Sequence, residues 1–176
     1  MNRHKVSEPN FFDKIEPGTP DGHMMKVDIK KIAEGIEFQG DESQSYLKIS
    51  SGEVVLFTDE AIAAAESDED LSEHAEWYRE AIEQAREFIN NEDDYIPLPS
   101  KYEFHEYRVM EEFILSLPIE AQRDELLSLI KGKGAFARFK HGLERFLLLD
   151  KWYEYRDQAL AELAKIWCRD NGIEFQ

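Results

Sequence analysis

The sequence predicts an α+β fold: a small antiparallel sheet, made of a hairpin plus an edge segment, packed against helices, with a helical C-terminal half. Three observations carry this. Residues 46–49 (Tyr-Leu-Lys-Ile) and 54–57 (Val-Val-Leu-Phe) are β-rich runs joined by Ser-Ser-Gly-Glu, which reads as a hairpin. Residues 95–99 (Tyr-Ile-Pro-Leu-Pro) read as extended, and their prolines suit an edge strand. From residue 102 to residue 167 the apolar residues recur at helical spacing. Strands gathered ahead of helices favour this arrangement over alternating βαβ units.

Asp28 is placed to cap a short helix whose apolar stripe is Ile29, Ile32, Ala33 and Ile36. After the hairpin, Thr58 or Asp59 caps another over residues 61–65. Residues 67–70 are an acidic break. A strong helical pattern then starts at Leu71, with Leu71, Ala75, Tyr78, Ile82, Ala85 and Ile89 on one face and Trp77, Ala81 and Phe88 on its flank. A helix is expected over 102–117, spaced by Glu106, Val109, Met110, Phe113, Ile114 and Leu117. Pro118 suits the first turn of the next, 119–130, whose core face is Ile119, Leu126, Leu127 and Ile130. The last helix is expected over 148–169, with Trp152, Tyr155, Ala159, Leu163 and Ile166 on its stripe and Trp167 beside them. Asn171-Gly172 stops it, and Ile173-Glu174-Phe175 alternates as an edge strand does.

The segment from Lys131 to Arg156 follows the 119–130 helix and runs into the start of the last one. Gly132 and Gly134 bracket Lys133 and permit a sharp turn. A helix over 135–147 then puts Phe136, Phe139, Leu143, Phe146 and Leu147 inward and Arg138, His141 and Arg145 outward. Free N–H groups at its start, beside Lys131 and Lys133, can hold an anion. The segment carries seven Lys or Arg against three acids, whereas residues 41–94 carry seventeen acids against Lys48, Arg79 and Arg86. The anion or partner contacts expected here are Lys131, Lys133, Arg138, Lys140, His141, Arg145 and Arg156. A solvated helix face is the ordinary structural explanation of the same residues. The loop is not a Walker P-loop, because Lys133 is followed by glycine.

The 176 residues, 42% apolar, are enough for one domain with a core, expected over 25–176. Residues 1–24, broken by Pro9, Pro17, Gly18, Pro20 and Gly22, are expected to be an appendage. Gly22-His23-Met24 has the composition of an expression-tag junction, with Met25 the natural start; a native extension fits equally. The net charge of −17 argues against bulk nucleic acid and anionic membrane as partners. Cys168, the single cysteine, excludes an intramolecular disulfide, fits a cytoplasmic setting, and reads as a buried thiol. No apolar run reaches the roughly 20 residues of a membrane span.

Five scattered histidines, His4, His23, His74, His105 and His141, form no zinc spacing, and no nucleophile elbow or dinucleotide fingerprint is present. No catalytic, cofactor-binding or metal residue is therefore assigned. Glu106, Arg108 and Glu111, beside His105, are explained by charge pairing along one helix. Trp152 and Tyr155 belong to the apolar stripe, which leaves Tyr153 as the freer ring.

Several segments carry a resemblance: residues 95–99, 107–111 (Tyr-Arg-Val-Met-Glu), 132–140 (Gly-Lys-Gly-Ala-Phe-Ala-Arg-Phe-Lys), 152–156 (Trp-Tyr-Glu-Tyr-Arg) and Trp167 through Ile173. In these the chain resembles a bacterial family, number 0158 in the Uncharacterised Protein Family series, over about residues 25–175. The resemblance implies a bacterial cytosolic protein and brings no activity, cofactor or catalytic residue with it.

The function expected is a non-catalytic cytosolic binding or regulatory module, its partner a protein or a phosphate-bearing ligand at the basic corner. A small-molecule enzyme is the alternative; a deep pocket lined by His105 or His141, Glu111 or Glu112 and an arginine would favour it. A third reading is mimicry of a polyanion by the acidic half. Oligomeric state stays open.

Overall fold

The hairpin forms where the sequence places it and extends further toward the N-terminus. The structure, a computed structural model, describes residues 26–67 and 74–176. Strands β1 (Ser43–Lys48) and β2 (Glu53–Thr58) pair antiparallel in the register Leu47 opposite Val54 and Tyr46 opposite Val55. Strand β3 (Tyr95–Pro97) joins the other edge of β1, giving the order β2-β1-β3. Around the sheet stand α1 (Ile29–Phe38), α2 (Asp59–Glu66), α3 (Glu76–Asn90), α4 (Glu106–Ser116), α5 (Glu120–Leu129), α6 (Ala135–Arg145) and α7 (Leu149–Asp170). The expected appendage, and Leu71 at the expected start of α3, lie outside the described residues.

Alternation along β1 divides the core in two. Leu47 and its partner Val54 face α1, where Gly35 lets the helix backbone close in. A Cβ there would sit 2.6 Å from Val54 Cγ1 and 2.7 Å from Leu98 Cδ1. Tyr46 faces the other way, into a ring cluster with Phe57, Phe88 and Tyr95 under α2 and α3. Asp28 caps α1 by accepting from the Lys30 N–H at 2.9 Å, and Thr58 caps α2 by accepting from Ala61 at 3.1 Å.

The helical half is built on three rings. Trp152 of α7 is fully buried, with ring centroids 5.4 Å from Phe113 of α4 and 4.9 Å from Phe139 of α6, both edge-on. Helices α5 and α6 pack closely at Gly142, where a Cβ would meet Leu129 Cδ1 at 2.7 Å and Leu126 Cδ2 at 2.9 Å.

Several expected faces and ends are corrected. Helix α4 starts at Glu106, not residue 102, because His105 takes a left-handed conformation (φ 45°) that no helix continues through. Residues 100–103 make a turn instead, with the Ser100 N–H donating to Glu103 Oε1 at 2.8 Å. Helix α6 stops at Arg145. Leu147 stands in the left-handed region (φ 56°), and the Leu148 N–H donates back to the Leu143 carbonyl at 2.9 Å, a Schellman ending with leucine where glycine is usual. Leu147 is consequently 90% exposed and not part of the inner stripe; Phe136, in the first turn of α6, is also largely out of the core. Ile119 precedes α5 as its N-cap and is 52% exposed. Ala75 likewise precedes α3 and is exposed. On α7 the buried stripe runs Trp152, Leu160, Ala164, Cys168, at spacings of four and eight, and leaves Ile166 at the surface. After the Schellman ending at Gly172, residues 173–176 fold back, but against the lead into α1, not the main sheet. Phe175 forms a parallel bridge with Val27, and the Val27 N–H donates to the Glu174 carbonyl at 3.0 Å.

Two outcomes follow. Trp152→Ala should cost about 3–5 kcal/mol in chemical unfolding, the range for emptying a buried aromatic site; a loss well below about 1 kcal/mol would contradict the three-ring core. Burial pushes the Cys168 thiol from 9.0 up to about 11. The folded chain thus holds a proton that the unfolded chain loses first. The stabilisation is complete below about pH 9 and is lost as pH rises toward about 11. Stability of Cys168→Ala should therefore fall less steeply across that window than that of the parent.

Candidate functional site

The turn between α5 and α6 is held by one side chain. Gly132 and Gly134 both adopt positive φ (75° and 78°). Arg138, one turn into α6, donates from Nε to the Leu129 carbonyl (3.0 Å), from Nη2 to Lys131 (2.6 Å) and from Nη1 to Lys133 (2.7 Å). The carbonyls at the end of α5 and in the turn are thus bound from one side. Among the described residues, the N–H groups of Phe136 and Ala137 have no backbone acceptor, as expected in the first turn of a helix. Lys131 and Lys133 are exposed and, among the described residues, form no ion pair.

The other cations of this segment are disposed differently. The Lys140 ammonium lies 5.8 Å from the Phe136 ring and 5.6 Å from the Tyr153 ring, and its bond with the Tyr153 hydroxyl raises its pKa. His141 lies 3.7 Å from Glu144, and Arg145 pairs with Glu125 across to α5. Arg156 belongs to another surface. It donates from Nη1 to Glu37 Oε1 of α1 (2.5 Å) and from Nε to Glu106 Oε1 of α4 (3.0 Å), with its guanidinium 5.5 Å from the Phe104 ring. Burial alone would lower its pKa; the two carboxylates outweigh this and raise it.

Arg156 lies in a cleft of about 800 Å³ between α1, the turn at residues 101–105, α4 and α7. Its floor is Ile36, Phe104 and Leu160, and its rim carries Tyr102, His105, Tyr107 and Arg108. Beside it, Asp41 accepts from Lys101 Nζ at 2.6 Å and from the Tyr102 hydroxyl at 2.5 Å, and both bonds hold its carboxyl below the usual range. An adjoining groove of about 410 Å³ is lined by His105, Arg108 and Glu112. Both are open to solvent, not deep. Arg108 and Glu112 form an exposed i,i+4 pair at 3.0 Å, the ordinary pairing of a helix surface. Among the described residues, no group of three or more His, Cys, Asp or Glu is arranged to hold a metal ion, and no helix is long and apolar enough to cross a membrane.

The cleft was not singled out from the sequence. One signal was available: Arg156 falls between Trp152 and Leu160 on the buried stripe of α7, and a charge in that phase needs a partner. Its carboxylates come from helices 50 and 119 positions away, which spacing does not reveal.

Replacing Arg138 tests the turn. Arg138→Lys keeps the charge but cannot span three carbonyls. It should lower Tm by about 2–4 °C, as a loss of about 1 kcal/mol does in a chain of this size. An unchanged Tm, with unchanged amide exchange at Gly132 and Gly134, would mean that the turn holds without the arginine.

Comparison with curated proteins and with solved structures finds no match. The model of an Uncharacterised protein family, UPF0158, matches residues 23–176. That span includes the turn at residues 132–134, the cleft residues and every described element, so the chain belongs to the bacterial family UPF0158, whose function is uncharacterised.

Proposed function

We propose that the chain is a non-catalytic binding or regulatory module that takes an anionic group of its partner, a phosphate or a cluster of carboxylates, at the corner between α5 and α6. The observation that carries this is the Arg138 clamp. It binds the carbonyls of the turn while two lysines and the unpaired N–H groups of the first turn of α6 remain available. Donors collected without competing acceptors suit an anion, and the helix dipole adds to them. Lys131 and Lys133 make the direct contacts, and Lys140, held between two aromatic rings, extends the patch along α6. His141 and Arg145, paired with Glu144 and Glu125, contribute at the margin. Arg138 is a positioning residue, and Arg156 acts elsewhere.

The enzyme reading draws on the open groove at His105, Arg108 and Glu112, where the charges already neutralise one another. That arrangement favours binding over acid–base work.

The test is the pair Lys131→Glu and Lys133→Glu, made together. Both side chains are exposed, so melting should stay unchanged. Partners captured by the parent from its native lysate should be lost by the variant. Capture should also weaken as salt rises, because exposed charge contacts are screened over roughly 8–10 Å. Retention of every partner at parental strength would overturn the reading.

A further inference from the structure

The cleft around Arg156 has features the corner does not show: concavity and an aromatic rim in which Tyr102 is fixed. We infer that it binds a planar aromatic ring bearing a phosphate or carboxylate, of about mononucleotide size. Its volume, about 800 Å³, lies in the range of small-ligand sites. Two tyrosines stand on the rim, Tyr102 68% and Tyr107 51% exposed. Exposed rings are normally mobile, but Tyr102 is held: its hydroxyl donates to Asp41 at 2.5 Å, and Lys101 Nζ lies 5.2 Å from its ring. A ring fixed at the mouth of a cleft is a stacking platform whose ordering cost is already met. His105 adds a third ring. Its backbone occupies the left-handed region, and its side chain makes no capping bond to α4, so the strain brings α4 no cap.

Charge decides the sign of the ligand. Glu37 and Glu106 each give one carboxylate oxygen to the mostly buried Arg156, so part of their negative charge is already offset inside the cleft. Arg108 is different. Its side chain is 72% exposed, and it is engaged only through Nε to Glu112, an exposed i,i+4 pair of the weak kind. Its guanidinium can accept an anionic group in the bidentate manner at little cost. Arg108 and His105 line both the cleft and the adjoining groove, so a ring over Tyr102 and Tyr107 can place its anionic group at Arg108.

Titration calorimetry of the full chain with AMP, UMP and indole-3-carboxylate tests this, and it distinguishes phosphate from carboxylate ligands. Saturable binding of at least one is expected, with adenosine and inorganic phosphate, each lacking one half of the chemistry, binding at least roughly tenfold more weakly than AMP if AMP is the one that binds. Tyr107→Ala and Arg108→Glu, both exposed positions, should each weaken that binding roughly tenfold with unchanged melting. The Lys131→Glu, Lys133→Glu chain should bind like the parent, which separates this site from the corner. Absence of saturable binding by all three probes at millimolar concentration, or binding that neither Tyr107→Ala nor Arg108→Glu alters, would overturn the inference.

Discussion

The helical half depends on the burial of the Trp152 indole. Its edge-on contacts with Phe113 and Phe139 bring α4, α6 and α7 to one point, and the ring is wholly inaccessible to solvent. Such rings bring large apolar area and a preferred geometry, so they fix angles as well as distances. One cost remains: among the described residues the Nε1–H has no acceptor. A buried donor without a partner costs about 1–3 kcal/mol. The indole persists there because its volume holds three helices apart at the right spacing, and a smaller ring would leave a void among them.

Once Trp152 sets the phase of α7, the rest of that helix follows. Leu160, Ala164 and Cys168 continue the buried stripe, and Arg156 occupies the same stripe between them. A guanidinium there is tolerable only with carboxylates in reach, and α1 and α4 each supply one. The bridge therefore does more than add attraction. Without the arginine, Glu37 and Glu106 would be left without their shared cation on neighbouring helices. Both ends of the described chain also meet beside this helix, through the Val27–Phe175 bridge, so α1 is tied to the terminus of α7 as well as to its middle.

The fold class was legible because its signals are local. The hairpin runs, the proline-marked edge strand and the Asp28 and Thr58 caps all depend on residues a few positions apart. The errors at α4 and α6 share one cause: a helical period was followed past a left-handed residue. His105 and Leu147 are not glycines, so nothing in their identity marks the break that shortens α4 and α6. On α7 the expected stripe lies beside the buried one: Tyr155, Ala159 and Leu163 pack on the core as its partly buried flank, and only Ile166 is left at the surface. Of the corner, the lysines and glycines were visible, and Arg138 was expected as an outward contact to an anion. That it binds three carbonyls follows only from the path of the turn. The cleft was invisible for a stronger reason, since its walls come from residues 36 to 160, and no spacing encodes their approach.

The seven Lys and Arg residues of the basic segment, with His141 among them, do not act as one field. Arg145 and His141 are beside carboxylates, and Arg156 is drawn into the cleft. Arg138 keeps its charge, because its acceptors are neutral carbonyls. Among the described residues, Lys131, Lys133 and Arg138 have no carboxylate partner, and Lys140, held by Tyr153, has only Glu144 nearby; all four lie about one turn of a chain whose net charge is −17. At a Debye length of about 8 Å the acidic remainder is largely screened from a ligand at this turn, while the four nearby cations are not. This distance suits the compact anion proposed for the corner better than a long polyanion, which would extend beyond it to the acidic surface. The same geometry that makes the corner local also limits what it can hold.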